Sequence, residues 1–204
     1  MQSALYEAGH EAFRAMVRDF LAKEVVPHHA AWEEAGMVDR SVWLKAGEQG
    51  LLGMDVSEEF GGGGVKDFRY NAVLAAEVSR VGASGLGFTL HNDVVAPYLT
   101  DLCTDEQKAR WLPGFVSGEL ITAIAMSEPG AGSDLQGLTT TAVRDGDDWS
   151  STARRSSSPT GSWPIWCWSW RAPTRRRAPA ASACWPSSAA CPASSAAASS
   201  TRSA

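Results

Sequence analysis

The end of this chain has no acidic residue. Residues 151–204 also lack Lys, Leu, Val, Phe and Tyr, whereas 14 of them are Ser and 13 are Ala. Residues 1–150 carry all 23 Asp and Glu with 11 Lys and Arg, a net charge of −12, and the 7 Arg that follow bring the chain to −5. So few branched aliphatic residues cannot bury enough apolar surface to offset the entropy of ordering, which predicts a disordered tail at residues 151–204.

The composition of this tail is typical of a gene read in the wrong frame. In a GC-rich gene, a one-base shift moves the G or C of the third codon position to the second, which encodes Ser, Pro, Thr, Ala, Arg, Gly, Cys and Trp. Every residue from Ser151 to Ala204 except Ile165 belongs to this set. We therefore interpret the tail as an out-of-frame product that begins beside Trp149. The alternative is a genuine segment that binds membranes or nucleic acid through Arg175–Arg177 and its tryptophans.

Residues 1–150 are poor in cysteine and in long apolar runs. Cys103 is the one cysteine there, and a single thiol cannot close an internal disulfide, so a reducing compartment, the cytoplasm, is expected. No apolar run reaches the roughly 18–20 residues of a membrane span, and no signal-peptide pattern opens the chain. The acidic balance argues against nucleic acid as a partner. His28 and His29 have no further ligands at metal-binding spacing, so no metal site is predicted.

Apolar residues recur at helical spacing through residues 1–118, which predicts an all-helical domain. Five helices are expected: Leu5–Val25 before Pro27, one capped by Asp39 or Ser41, Asp67–Val81 with Gly82 as its C-terminal cap, Leu86–Leu102, and a short helix from Thr104 to about Leu112 before Pro113. The expected core contains Phe13, Phe20, Trp43, Leu74 and Trp111.

After Gly118 the pattern changes to that of β structure. A strand is predicted from Ile121 to Met126, and a second from Thr139 to Arg144 leads through a hairpin turn at Asp145-Gly146 to a third at Asp148-Trp149. The chain is therefore predicted to be α+β. Its domains are an all-α domain at 1–118, the start of a β domain at 119–150, and the tail at 151–204.

Two further motifs each have a structural explanation beside a functional one. Gly61–Gly64 is not followed by the Gly-Lys-Ser/Thr of phosphate-binding loops, so a loop between helices is predicted. The triplet His91-Asn92-Asp93 lies inside an apolar helix and requires hydrogen-bond partners, which can serve the fold or a function.

The segment Ser127–Asp134 carries the strongest functional signal. Gly130 and Gly132 allow the backbone to approach a ligand and to point N–H groups at phosphate or carbonyl oxygens. Ser127 and Ser133 add hydroxyls that can donate or accept. By spacing alone, a ligand-binding loop and an ordinary loop between strands both remain open.

Residues 121–149, which include Met-Ser-Glu-Pro-Gly-Ala-Gly-Ser-Asp, resemble the flavin-binding signature of the acyl-CoA dehydrogenases. Residues 55–62 resemble the "P-E-x-x-G-G" loop of the same family, with Ser57 where Pro is common. Residues 90–98, 104–111 and 117–120 are also similar, so the resemblance covers nearly all of residues 5–149. His91-Asn92-Asp93 and residues 134–137 look most like the long-chain branch.

The resemblance implies a helical domain, a middle β-barrel domain and a C-terminal four-helix domain in a homo-oligomeric enzyme. Such an enzyme oxidises acyl-CoA with FAD and passes electrons to an electron-transferring flavoprotein. The cofactor-binding positions would be Ile124, Met126, Ser127, Gly132 and Ser133, with Ser133 also near acyl-CoA. The family's aromatic-Ile-Thr flavin contact falls at Ser157-Ser158-Pro159 and is lost. The catalytic base belongs to the C-terminal domain, so no catalytic residue is named, and a truncated, inactive fragment is expected.

The resemblance also tests the reading frame. Family members continue after the Trp with a stretch like Val-Leu-Asn-Gly, whose codons read one base late encode Ser-Ser-Thr-Ala, the residues at 150–153. Two other functional classes remain as alternatives. One is a non-enzymatic helical interaction domain, and the other is a related flavoprotein that acts on another carbon acid, such as a nitroalkane.

Overall fold

A computed structural model describes residues 5–125, 128–134, 137–145, 148–152, 166–169 and 184–186. The chain divides into two compact units, with residues 5–122 in the first and 123–152 in the second. The helices of the first unit are α1 (Ala8–Phe20), α2 (His29–Ala35), α3 (Ser41–Glu48), α4 (Arg69–Arg80), α5 (Ala96–Leu102) and α6 (Asp105–Ser117).

The first unit is helical, as the apolar spacing predicted. α1 begins behind a capping box in which the Glu7 backbone N–H donates to His10 Nδ1 over 3.1 Å, and a π-helical turn at Leu21–Val25 extends the helix to just before Pro27. Val17 and Leu21 are fully buried in the core. Of the five predicted core residues, four are at most 6% exposed (Phe20, Trp43, Leu74 and Trp111), and Phe13 is partly buried against the core cluster that contains the first three.

Two helical segments differ from the sequence prediction. The short helix α2 was not predicted, and none of its side chains is buried. The helix predicted at Leu86–Leu102 begins at residue 88, after a separate 3-10 turn at Ser84–Leu86, and it contains a π-helical turn at Leu90–Val95 that continues directly into α5. The wider turn coincides with His91 and Asn92, whose buried side chains bond to other segments of the unit.

The end predicted for the last helix, near Leu112, is wrong. α6 runs on to Ser117 with Pro113 inside it, so one backbone hydrogen bond is absent at the proline. The exposed Pro113 is tolerated because the turn after it buries Phe115 and Val116. The helix ends at Gly118, whose φ of 78° lies in the left-handed region.

Close backbone contact holds α3 against the end of α6. A Cβ added to Gly118 would lie 2.2 Å from the Trp43 carbonyl oxygen, and one added to Gly47 would lie 2.3 Å from that of Ser117. Side chains at these positions would force the two helices apart, since real Cβ atoms do not approach oxygen so closely. Glycine here is therefore a packing requirement as well as a helix stop.

The second unit contains short strands. β1 (Thr122–Ala125) begins at the last residue of the first unit, and β2 (Thr141–Asp145) pairs antiparallel with β3 (Asp148–Thr152). The pairing of Asp145 with Asp148 confirms the predicted hairpin. The structure does not establish a barrel, so the middle β-barrel domain and the boundaries at 118 and 150 stay predictions.

Two further strands lie in the tail. β4 (Trp166–Ser169) pairs antiparallel with β5 (Cys184–Pro186), and the three-stranded sheet has the order β1-β4-β5. The expectation of disorder does not hold for these short segments. Each carries tryptophan, a residue of high β-propensity, which the average composition of the tail conceals. The other residues of 153–204 lie outside the described residues.

Candidate functional site

The glycine run Gly61–Gly64 is a structural loop. All four of its amides donate to backbone carbonyls, to those of Glu58, Ser57, Gly53 and Val56 in turn, over 2.8–3.3 Å. A Cβ added to Gly62 would lie 2.2 Å from the Val56 carbonyl oxygen, so the run folds tightly onto the preceding segment. Because every amide is already used, the run cannot bind phosphate, which supports the structural interpretation of the motif.

His91 is fully buried and serves the fold. Its Nε2 lies 3.0 Å from the Phe115 carbonyl oxygen, which can only accept, so Nε2 carries the proton and Nδ1 accepts from the Thr122 hydroxyl over 2.7 Å. The ring stacks on Phe115 with a centroid distance of 3.6 Å. Burial lowers the pKa of His91 to about 3, which keeps the imidazole neutral.

The other two members of the triplet also have structural partners. The side chain of Asn92 accepts from the Gly53 N–H over 2.9 Å and donates to the Leu51 carbonyl over 2.8 Å. Asp93 accepts from the Asn71 side chain over 2.6 Å, and burial raises its pKa. The triplet therefore joins the π-helical turn to α4 and to the segment after α3.

A cluster of ionic groups around the buried Glu77 joins α1 to α4. Glu77 is 2% exposed, and its carboxylate accepts from Arg14, Arg18 and Arg80 over 2.7–3.1 Å. Burial acts to raise the pKa of Glu77, but the bonds from the three guanidinium groups outweigh it and lower the pKa to about 2. These groups neutralise one another across two helices, so we assign the cluster to stability.

The loop that carried the functional signal is described from Glu128 to Asp134. The Glu128 N–H donates to the Ala131 carbonyl over 3.0 Å and the Ala131 N–H to that of Glu128 over 3.1 Å, which closes a tight turn. Gly132 and Ser133 are exposed, and a Cβ added at Gly130 or Gly132 would meet no atom within 4 Å. Gly132 and Ser133 are thus accessible from outside the turn, as binding of a phosphate-bearing ligand requires.

The carboxylate of Glu128 connects this turn to the residues before β2. Oε2 accepts from the Thr139 N–H over 2.8 Å and from its hydroxyl over 2.7 Å, and Oε1 accepts from the Thr140 N–H over 3.0 Å and from its hydroxyl. Glu128 is 5% exposed. The bonds from Thr140 and then from Thr139 lower the pKa of Glu128 to about 2, so it is ionised at neutral pH.

The structure describes only part of the predicted cofactor-binding set. Ile124 is half-buried in β1, and Gly132 and Ser133 are exposed on the loop. Met126 and Ser127 lie outside the described residues, as does the altered contact at Ser157-Ser158-Pro159. Sequence reasoning missed the bonds of Glu128 to Thr139 and Thr140. Two adjacent threonines, each offering a hydroxyl and an amide, were the available signal.

Within the part of the chain that the structure describes, no group of three or more His, Cys, Asp or Glu side chains is arranged to hold a metal ion. None of the helices described is both long and apolar enough to cross a bilayer.

Comparison with known proteins connects both units to one family. Residues 7–119 match the acyl-CoA dehydrogenase N-terminal domain. The chain is 48% identical over 145 residues to the mitochondrial long-chain specific acyl-CoA dehydrogenase of Mus musculus, a match that covers 71% of this chain and 34% of the relative.

Solved structures agree with this match. An acyl-CoA dehydrogenase from Geobacillus kaustophilus is 50% identical with a TM-score of 0.69, over 72% of this chain and 39% of that one. An acyl-CoA dehydrogenase complexed with FAD from Bacillus anthracis is 31% identical with a TM-score of 0.54, over 70% and 24%. The chain thus spans about a third of the length of the mouse relative.

Proposed function

The chain belongs to the acyl-CoA dehydrogenase family, and we propose that it supplies the helical domain and the flavin-binding loop of an FAD-dependent dehydrogenase. The observation that carries this proposal is the loop Gly130–Ser133. Its Gly130, Gly132 and Ser133 are exposed, the pairing of Glu128 with Ala131 closes the turn, and the loop lies in the segment that resembles the family's flavin signature.

In this proposal, Gly132 and Ser133 approach the phosphates of FAD. Backbone amides and a hydroxyl are suitable donors because they stabilise phosphate charge without a cation. Ile124, Met126 and Ser127 would lie beside the flavin ring, and Ser133 would also be near acyl-CoA. The negative charge of Glu128 would not repel the phosphates directly, because its carboxylate oxygens accept hydrogen bonds from Thr139 and Thr140.

When bound, FAD would accept the β hydrogen of an acyl thioester as hydride. The acid-base residue for the α proton is not assigned to this chain. His91 is excluded from that role because it is fully buried, neutral and bonded at both ring nitrogens.

The substrate class would be acyl-CoA, with a preference for longer chains in keeping with the long-chain relative. An electron-transferring flavoprotein would be the partner, and the family's homo-oligomeric assembly is proposed with it. The mouse relative is named as mitochondrial, so the cytoplasmic location of this chain stays a prediction.

FAD binding by the loop can be tested directly on the ¹⁵N-labelled chain. We expect added FAD to shift the amide signals of Gly130, Gly132 and Ser133. Riboflavin, which lacks the phosphates, should leave Gly132 and Ser133 unchanged. Ser133→Ala should weaken FAD binding about 2- to 10-fold, the net value of about 0.5–1.5 kcal/mol for one hydrogen bond. Shifts confined to the helical unit would contradict the assignment.

We also propose that residues 151–204 are translated out of frame. The support is their composition and the match of residues 150–153 to a shifted Val-Leu-Asn-Gly. Resequencing the gene across the Trp149 codon should reveal a missing base. An enzyme expressed with that base restored should oxidise acyl-CoAs of graded length with an artificial acceptor, best with the longer chains. An intact reading frame at this codon would refute the proposal.

A further inference from the structure

Glu128 is a buried acidic residue that the proposed chemistry does not use. It is the first residue of the turn that leads into the loop Gly130–Ser133, and it is 5% exposed. A carboxylate so close to a phosphate-binding loop would weaken phosphate binding if it faced the ligand. The groups that bind the Glu128 carboxylate therefore determine whether its charge can affect a ligand of the loop.

Both oxygens of this carboxylate are held by the next part of the chain. The N–H and the hydroxyl of Thr139 donate hydrogen bonds to Oε2, and those of Thr140 donate to Oε1. Because the carboxylate is planar and each oxygen takes two donors from one residue, its orientation is determined. The negative charge of Glu128 is consequently stabilised by the four hydrogen bonds from Thr139 and Thr140.

The same residue also closes the turn through its backbone. Its N–H and carbonyl form a reciprocal pair with Ala131, over 3.0 and 3.1 Å. Gly137 passes close behind the turn, since a Cβ added there would lie 3.3 Å from the Gly130 carbonyl oxygen. Glu128 thus closes the turn through its backbone and joins it to Thr139 and Thr140, and Gly132 and Ser133 beyond the turn are exposed.

We propose that Glu128 is a positioning residue for the loop: its carboxylate, clamped by Thr139 and Thr140, sets the direction in which the Gly132 and Ser133 amides present themselves to the phosphates of the cofactor. This inference rests on the proposed function of the loop for its ligand. The orientation of the two amides can be measured without that ligand.

Four variants of the full chain test the proposal. Glu128→Gln replaces one acceptor oxygen by an amide that cannot accept, and Thr139→Val removes one hydroxyl donor. Thr139→Ser keeps both donors and serves as the conservative variant. Glu119→Gln is the matched control, because it makes the same charge change at an exposed residue.

Amide spectra and hydrogen exchange give the first readout. In Glu128→Gln we expect exchange at the Thr139 and Thr140 amides to accelerate about tenfold or more, and the Gly132 and Ser133 amide signals to move. Thr139→Val should show a smaller change of the same kind. Thr139→Ser and Glu119→Gln should match the wild-type chain. Unmoved Gly132 and Ser133 signals in Glu128→Gln would overturn the proposal.

FAD titration gives the second readout and separates the two proposals. The dissociation constant should rise about tenfold in Glu128→Gln and stay within about twofold in Thr139→Ser. Unchanged FAD affinity in Glu128→Gln, despite altered amide signals, would overturn the positioning role. If FAD moves no loop amide in the wild-type chain, the flavin assignment fails, and the amide spectra still decide whether Glu128 orients the loop.

Discussion

Three polar side chains buried in the helical unit, His91, Asn92 and Glu77, are hydrogen-bonded to specific partners rather than to solvent. His91 is the clearest case, because burial holds its pKa at about 3 against an ordinary value of 6.5. The unfolded chain therefore binds a proton that the folded chain excludes at every pH between these values. The free energy of unfolding therefore has its full value, as far as His91 is concerned, above pH 6.5, and it declines as the pH falls toward 3.

We expect the free energy of unfolding to fall by about 2 kcal/mol between pH 7 and pH 5 through His91 alone. Urea denaturation at several pH values measures it, with His91→Gln as the comparison. The variant should be less stable at pH 7, where it loses the stacking on Phe115, and its pH dependence should be flatter. Parallel pH profiles for the two proteins would show that the ring is not held neutral.

Glu77 offers a second test at the same scale. Glu77→Gln removes the charge that holds Arg14, Arg18 and Arg80, and we expect a loss of about 2–3 kcal/mol, since the half-exposed Arg18 and Arg80 can rehydrate. Glu11→Gln is the control, because Glu11 also contacts Arg14 but is 49% exposed, and it should cost at most about 0.5 kcal/mol.

The direction of the pH effect at Glu77 is set by its lowered pKa. Its contribution to stability is complete above pH 4.5 and is lost as the pH falls toward about 2. Glu77→Gln should therefore be destabilising at neutral pH and approach the wild-type stability at low pH. Equal losses for the two glutamine variants would argue against a special role for the buried carboxylate.

At the scale of elements, backbone contact between α3 and the end of α6 determines how these helices meet. Gly118 and Gly82 both have positive φ, 78° and 72°, so Ala is strained at either position. They differ in their surroundings, because a Cβ would lie 2.2 Å from the Trp43 carbonyl oxygen at Gly118 and would meet nothing at Gly82.

We expect Gly82→Ala to cost about 1 kcal/mol, the conformational term alone, and Gly118→Ala about 2–4 kcal/mol, because the helices must also separate. Urea denaturation of both variants measures the difference. Similar losses of unfolding free energy in the two variants would mean that α3 and α6 can separate at no cost to accommodate the added methyl group.

At the scale of the whole molecule, the 204-residue chain is expected to bind FAD too weakly to retain it through purification. In the proposed function the loop would contact the phosphates, but the aromatic-Ile-Thr flavin contact that the family resemblance places at Ser157-Ser158-Pro159 is replaced. The absorption spectrum of the purified chain measures retention, with the frame-restored protein as the positive control. A flavin band near one FAD per chain would contradict this prediction.

Much of the helical unit could be predicted because its signals are local. The apolar spacing of residues 5–25, the capping box at Thr104 and the left-handed Gly82 each depend on a few neighbouring residues, and the structure contains all three. The hairpin at Asp145-Gly146 belongs with them. A loop at Gly132 and Ser133 was also predicted from its glycine and serine residues, while their spacing left a ligand-binding loop and an ordinary loop between strands both open.

The features that escaped prediction depend on residues distant along the chain. Pro113 argued for a helix end, but the burial of Phe115 and Val116 carries α6 past it. Spacing left two roles open for His91, and its bonds to Phe115 and Thr122 show a structural one. The clamp of Thr139 and Thr140 on Glu128 likewise forms across 11 and 12 positions. Local patterns therefore specify where helices, turns and an open loop occur, whereas the pairing of buried polar groups emerges only when the folded chain excludes water from them.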